Sequence, residues 1–182
     1  MTGFVFLSSL DETYRDSLER LVFFNSRQRE AESGITRVID QYGAPAIVAD
    51  AAGLHVVVEQ RNDVQCLFAL APTRGLPIAG MIVYLRISIE EILILHVAVS
   101  DRFSHNRQSG LQVLMALIRS VRDVAHRLRG VERLRLLYLH DRQFQIVIKS
   151  SRPVTTSLSS AKLLPVSTPY SDGFAGSMAT GR

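Results

Sequence analysis

The segment EILILHVAV at residues 91–99, followed by SHNRQSGLQVLMALIRS at residues 104–120, decides the fold expected for this chain. The first segment is a continuous apolar run of strand length, typical of a strand buried on both faces. The second begins polar, passes through Gly110 and continues with apolar residues at three- and four-residue steps, which predicts an amphipathic helix. A strand, a polar loop and a helix in this order can bind phosphate at the helix N-terminus, or can form a simple turn against a core.

Length and composition favour a single folded domain. The chain has 182 residues, of which 47% are hydrophobic and 21% charged. No apolar run approaches the roughly 20 residues needed to cross a bilayer, and the N-terminus lacks the layout of a secretory signal. We therefore expect a cytoplasmic protein with no membrane partner. The single cysteine, Cys66, excludes an internal disulfide and is expected to be a small buried apolar residue.

The positive charge is carried almost entirely by arginine, since Lys149 and Lys162 are the only lysines in a chain of net charge +4. Arginine binds phosphate in a bidentate manner, but this modest and dispersed excess permits nucleic-acid binding without indicating it. A nucleic-acid binder would need one arginine face, built from Arg119, Arg122, Arg127, Arg133 and Arg135. The histidines show no metal-binding spacing, so we predict no metal site.

The rest of the chain shows a regular order of elements. Residues 4–9 predict a short strand, and a helix follows from about Asp11. A second helical stretch is interrupted near Gly34 and ends at Gly43, after which Val-, Ile- and Leu-rich runs predict antiparallel strands up to residue 99. Two more strands follow the long helix. We predict one domain at residues 1–149 and a mostly disordered tail, rich in Ser, Thr and Pro, at residues 150–182.

This order, over about residues 4–149, resembles the GCN5-related N-acetyltransferase (GNAT) fold, the acyl-CoA N-acyltransferase fold. Residues Arg107-Gln108-Ser109-Gly110-Leu111-Gln112 match the family pattern Gln/Arg-x-x-Gly-x-Gly/Ala at its first and fourth positions, and Gln112 departs from it at the sixth. The resemblance implies an α+β fold with a mixed, mainly antiparallel sheet flanked by helices. It also implies that the strand before the long helix splays away from its neighbour.

The same resemblance implies a function. Acetyl-coenzyme A would be the co-substrate, with its pyrophosphate at residues 107–112 and its pantetheine arm along Val97 and Val99. The acetyl group would pass to a primary amine on a small molecule or a protein. The family's later helix, which bears an Asn and a Tyr that protonates the leaving thiolate, has no counterpart here, so that acid role is not assigned to Tyr138.

Two residues of the apolar strand are candidates for a general base. Glu91 follows Glu90 at the strand start, where a carboxylate could accept the amine proton, although such a pair can also be a solvated turn. His96, predicted to share a face with Ile94 and Ala98, titrates in the useful range and is either a base or a satisfied core histidine.

The loop and helix start leave two further points open. Ser109 is expected to cap the helix whether or not the loop binds phosphate. The whole chain can be an active N-acetyltransferase or a non-catalytic ligand-binding, regulatory or dimerising module on the same fold. A splayed strand with a cleft reaching Arg107 would favour the enzyme, and a filled cleft would favour the module.

Overall fold

The computed structural model describes residues 3–59, 61–137 and 144–148, without the side chains of Phe144 and Gln145. The predicted tail at residues 150–182 lies outside the described residues, as does Tyr138. The strands are β1 (Val5–Leu7), β2 (Pro45–Asp50), β3 (Gly53–Val58), β4 (Gln65–Leu70), β5 (Ile78–Arg86), β6 (Glu91–Val99), β7 (Arg133–Leu136) and β8 (Phe144–Val147). The α-helices are α1 (Arg15–Phe23), α2 (Glu32–Tyr42), α3 (Asp101–Ser104) and α4 (Arg107–Arg127), and 3₁₀ segments form at Glu12–Tyr14 and Ser26–Ala31.

The predicted fold class is confirmed: the chain is α+β, with a mixed and mainly antiparallel sheet flanked by helices. Six strands form one sheet in the order β1-β4-β5-β6-β7-β8, and β2 and β3 form a separate antiparallel hairpin. Within the six-stranded sheet only the pairing of β6 with β7 is parallel. One face of the sheet packs against α1, α2 and the hairpin, and the other face packs against α4.

The central strands explain why the sequence shows continuous apolar runs there. Both faces of β5 and β6 are covered, so nearly every residue of β5 is buried and the usual alternation of polar and apolar positions disappears. Cys66, on the neighbouring β4, is buried as predicted, and burial raises the pKa of its thiol. Helix α4 contributes Val113, Leu117, Val121 and Ala125, all fully buried at four-residue steps against the sheet.

A glycine in β5 lets α4 lie close to the sheet. A Cβ at Gly80 would lie 2.7 Å from the carbonyl oxygen of Ala98 and 2.9 Å from Cγ1 of Val113. The missing side chain therefore allows the first half of α4 to lie close to β5.

Two local predictions are corrected. The interruption of the second helical stretch lies at Ala31, the N-cap of α2, and Gly34 is inside that helix. The predicted polar loop after β6 contains the short helix α3.

Among the described residues, no helix combines the length and apolar character needed to span a bilayer.

Candidate functional site

The described pairing of β6 with β7 involves the N-terminal half of β6. The parallel pairing runs from Glu91 opposite Arg133 to Ile94 opposite Leu136, and the described part of β7 ends there. Strand β6 continues to Val99, paired with β5 on its other side. The C-terminal half of β6 lies beside the start of α4, and the two line a common cleft.

A cleft of about 590 Å³ lies along the C-terminal half of β6. Its floor is formed by β6 from His96 to Val99, and one wall is formed by α3 and the first two turns of α4. The opposite wall comes from the 3₁₀ segment Ser26–Ala31, its N-cap Asn25, and Ile35 of α2. The lining of the cleft therefore includes helical segments from both faces of the sheet.

A bulge turns His96 to a face that the sequence does not predict. Val83 of β5 pairs with His96, whereas the next residue, Tyr84, pairs with Ile94, so Leu95 is an extra residue in β6. Side chains alternate along a strand, and the extra residue shifts this alternation by one. His96 therefore shares the face of Val83 and Ala98, and the prediction that it also shares the face of Ile94 is wrong.

The His96 ring lies at the cleft floor on the side of α1 and α2. Burial disfavours the imidazolium and lowers the pKa of His96 to about 4. The ring is consequently neutral near pH 7 and can accept a proton, but it is a weak base.

The backbone of β6 also faces the cleft. The Ser100 N–H donates to the Ala79 carbonyl oxygen at 2.9 Å, so the polar groups of Ser100 point towards the β5 side. Backbone groups alternate sides along an antiparallel strand, so those of Val97 and Val99 point away from β5. The Val99 carbonyl oxygen accepts a hydrogen bond from Asn25 Nδ2 at 2.8 Å.

Asn25 is a site residue that the sequence reading missed. Its side chain is buried and also accepts from the Arg27 N–H at 3.0 Å through Oδ1, which caps the 3₁₀ segment. An Asn after a helix end signals a cap, but its bond to a strand 74 residues further along the chain has no local sequence signal.

The start of α4 differs from the prediction. Asn106 is the N-cap, with Oδ1 accepting from the Gln108 N–H at 2.9 Å, so the prediction of Ser109 as cap is wrong. The Gly110 N–H donates to the Asn106 carbonyl oxygen at 2.9 Å inside the helix. Helix geometry leaves the N–H groups of Arg107, Gln108 and Ser109 without an intrahelical acceptor. The Asn106 side chain accepts from Gln108, so the N–H groups of Arg107 and Ser109 are not used by the cap.

The cleft brings together six of the predicted site residues: His96, Val97, Val99, Arg107, Gly110 and Leu111. Gln108, Ser109 and Gln112 do not line it, and Gln112 is exposed on α4. Glu91 lies at the other end of β6, where its carboxylate is 2.7 Å from Nε of Arg135. The structure therefore does not bring the two proposed bases, Glu91 and His96, to one site.

Hydrogen bonds join the 3₁₀ segment Ser26–Ala31 to α3 at one mouth of the cleft. Arg27 donates through Nη2 to the Ser104 carbonyl oxygen at 2.9 Å, and Ser26 Oγ donates to Asp101 Oδ1 at 2.5 Å. Arg27 and Arg107, both exposed, place two cations at this mouth, with Glu30 also on the lining. Within the part of the chain that the structure describes, no three His, Cys, Asp or Glu side chains form a group that could hold a metal ion.

Comparison with solved structures finds acetyltransferases at low similarity. Nourseothricin acetyltransferase is similar at a TM-score of 0.41 and 16% sequence identity, over 74% of this chain and 73% of that one. An acetyltransferase from Streptococcus agalactiae 2603 is similar at a TM-score of 0.40 and 13% identity, over 75% and 73%. No protein-family model and no curated protein matches the chain. Similarity at this level does not define a family for this chain.

Proposed function

We propose that the chain binds acetyl-coenzyme A, or a related acyl thioester of coenzyme A, in this cleft and transfers the acyl group to a primary amine. The observation that carries the proposal is the backbone of Val97, whose N–H and carbonyl point away from β5. This backbone lies in a cleft that reaches Arg107 at the start of α4. Such a protein would be a divergent member of the GNAT superfamily. The amine would belong to a small molecule or to a protein.

The residues of the cleft fit most of this co-substrate. The side chains of Arg107 and Arg27 and the backbone N–H of Arg107 suit the phosphates, because they combine positive charge with a helix N-terminus. The Val97 backbone suits the amides of the pantetheine arm. The fit is less complete than the resemblance implies, because Asn25 already bonds the Val99 carbonyl and the helix already uses the Gly110 N–H.

The thioester supplies an acyl carbon that is activated towards amines. The amine nitrogen forms a bond to that carbon, the carbon–sulfur bond breaks, and the thiolate of coenzyme A leaves. The Val97 N–H would donate to the carbonyl oxygen as negative charge develops on it. His96 would take the proton released by the amine.

The low pKa of His96 restricts this chemistry. A group with a pKa of about 4 cannot deprotonate an ammonium ion efficiently, so the amine has to lose its first proton to solvent before it attacks. We therefore expect the transfer rate to rise with pH through the pKa of the amine substrate.

The first experiment is a calorimetric titration with acetyl-coenzyme A. Wild-type protein should bind with micromolar affinity, and Arg107→Glu should abolish binding because it places a carboxylate at the phosphate site. Arg119→Glu makes the same charge change on an exposed position of α4 that does not line the cleft, and it should retain binding. Absence of binding to wild-type protein at millimolar acetyl-coenzyme A would overturn the proposal.

The alternative is a ligand-binding module that carries out no transfer. The observation that favours it is the weak basicity of His96, the one proposed base that lies in the cleft. Mass spectrometry of a panel of primary amines incubated with protein and acetyl-coenzyme A separates the two: acylated amine supports the enzyme, and binding without any acylated product supports the module.

A further inference from the structure

A second, smaller cavity lies directly behind His96. Its volume is about 50 Å³, and Gln28, Ile35 and His96 line both this cavity and the cleft, so the two are adjoining spaces. The walls come from α1, α2, β3, β5 and β6. We call this cavity the rear chamber.

The rear chamber has an almost entirely aliphatic lining. Val22, Val38, Val58, Met81 and Leu95 contribute to it, and all five are buried. Gln28 and His96 supply the polar side chains of the lining, and the amide of Gln28 already donates to the Val22 carbonyl oxygen. A buried water needs two to four polar partners, whereas an apolar cavity stays dry and accepts an apolar group.

The position of the chamber determines which part of a ligand reaches it. The cations Arg27 and Arg107 lie on the cleft, whereas neither lines the chamber. A thioester held with its phosphates at these cations and its pantetheine amides along Val97 would direct its acyl end past His96. The enclosed aliphatic walls suit the end of a ligand better than a segment that must continue to solvent.

We propose that the rear chamber receives the alkyl end of a short acyl group, so that the preferred donor is a propionyl or butyryl thioester rather than acetyl. The proposal rests on the function proposed above and specifies its acyl donor. One water-sized sphere needs about 10–15 Å³ of such volume, so the chamber holds roughly three to five groups of that size. That space suits the added carbons of a butyryl chain and excludes a long fatty acyl chain.

The test is a calorimetric series with the full chain and coenzyme A carrying no acyl, acetyl, propionyl, butyryl or octanoyl groups. Affinity should rise about fourfold for each methylene added from acetyl to butyryl, the usual gain for burying one methylene. It should fall for octanoyl, which is longer than the chamber. The transfer rate to an amine should follow the same order.

Two variants fill the chamber from different walls. Val38→Leu adds bulk from α2, and Val58→Ile adds it from β3, so a folding defect in one leaves the other for the test. Each should remove the gain of butyryl over acetyl. Val124→Leu makes the same valine-to-leucine change on α4, outside the chamber. It should keep the wild-type ratio of butyryl to acetyl affinity.

The outcomes separate the chamber from the proposed function. Equal affinity for acetyl and butyryl thioesters, or a butyryl gain that persists in both filled variants, overturns the role of the chamber and leaves thioester binding intact. Failure of every thioester to bind overturns the proposed function and the donor preference together.

Discussion

At its N-terminal end β6 is paired with strands on both sides, whereas its C-terminal end is paired with β5 and otherwise borders the cleft. Leu93 and Ile94 are buried in the paired half, and two ion pairs join that end to β7. His96 and Val97 in the other half are only partly buried and line the cleft. One strand therefore combines a paired half with a half that lines the cleft, which we call the open half, and the bulge at Leu95 separates the two.

The largest difference between the two halves should be in packing energy. Leu93→Ala removes a fully buried side chain and should lower the free energy of unfolding by about 3 kcal/mol. Val97→Ala removes a smaller and partly exposed side chain and should cost about 1 kcal/mol. Urea unfolding of both variants measures the contrast. Equal losses would mean that the open half of β6 is packed as firmly as the paired half.

A matched pair of glycine replacements examines how α4 meets the open half. Gly80→Ala forces a Cβ to within 2.7 Å of a backbone oxygen, so it should cost about 2–3 kcal/mol and displace α4. Gly110→Ala places its Cβ 3.4 Å from the Ser104 Cα, an ordinary contact, and should stabilise the helix by up to about 1 kcal/mol.

The readouts for this pair are urea unfolding and titration with acetyl-coenzyme A. Gly110 lines the cleft, so its replacement should weaken binding even though the protein becomes more stable. A Gly110→Ala protein that gains stability and binds as tightly as wild type would show that the ligand does not approach this part of the helix.

Acid should weaken the protein through His96. Its pKa is about 4 in the folded protein and near 6.5 when unfolded, so the unfolded chain binds more protons between these values. The contribution of the neutral His96 ring to the free energy of unfolding is complete above pH 6.5. It declines by about 2–3 kcal/mol as pH falls towards 4. Unfolding measured from pH 7 to pH 4 should show this slope in wild type and a smaller slope in His96→Gln. Parallel curves would place the titration elsewhere.

The contrast along β6 also marks how far the sequence could predict the fold. The continuous apolar run predicted β6, because a strand buried on both faces has apolar residues at successive positions. The helical periodicity predicted α4, because a helix buried on one face has apolar residues at three- and four-residue steps. The face of His96 could not be predicted, because the bulge depends on pairing with β5 rather than on residues 91–99 alone. Arg107 and Gly110 line the cleft, whereas the helix cap was misassigned because Asn106 and Ser109 are both good capping residues.

The bond from Asn25 to Val99 shows a second limit. It joins a helix end to a strand end, and its geometry follows from the packing of α1, α2 and the sheet as a whole. Asparagine is a residue type that favours helix caps, and Asn25 does cap the 3₁₀ segment, but no local sequence pattern indicates its distant acceptor. The candidate site was therefore predictable at the level of elements, while the partners of its polar groups were not.

The smallest expected effect concerns the anchored end and decides the role of Glu91. Glu91→Gln removes a partly buried carboxylate beside Arg135 and should lower the free energy of unfolding by about 1 kcal/mol. Glu90→Gln makes the same change in the more exposed pair with Arg133 and should cost less. Because Glu91 does not line the cleft, the rate of acyl transfer at saturating substrate should be retained in Glu91→Gln. A large loss of that rate with an unchanged unfolding curve would instead identify Glu91 as the base and would require the amine to approach β6 from its N-terminal end.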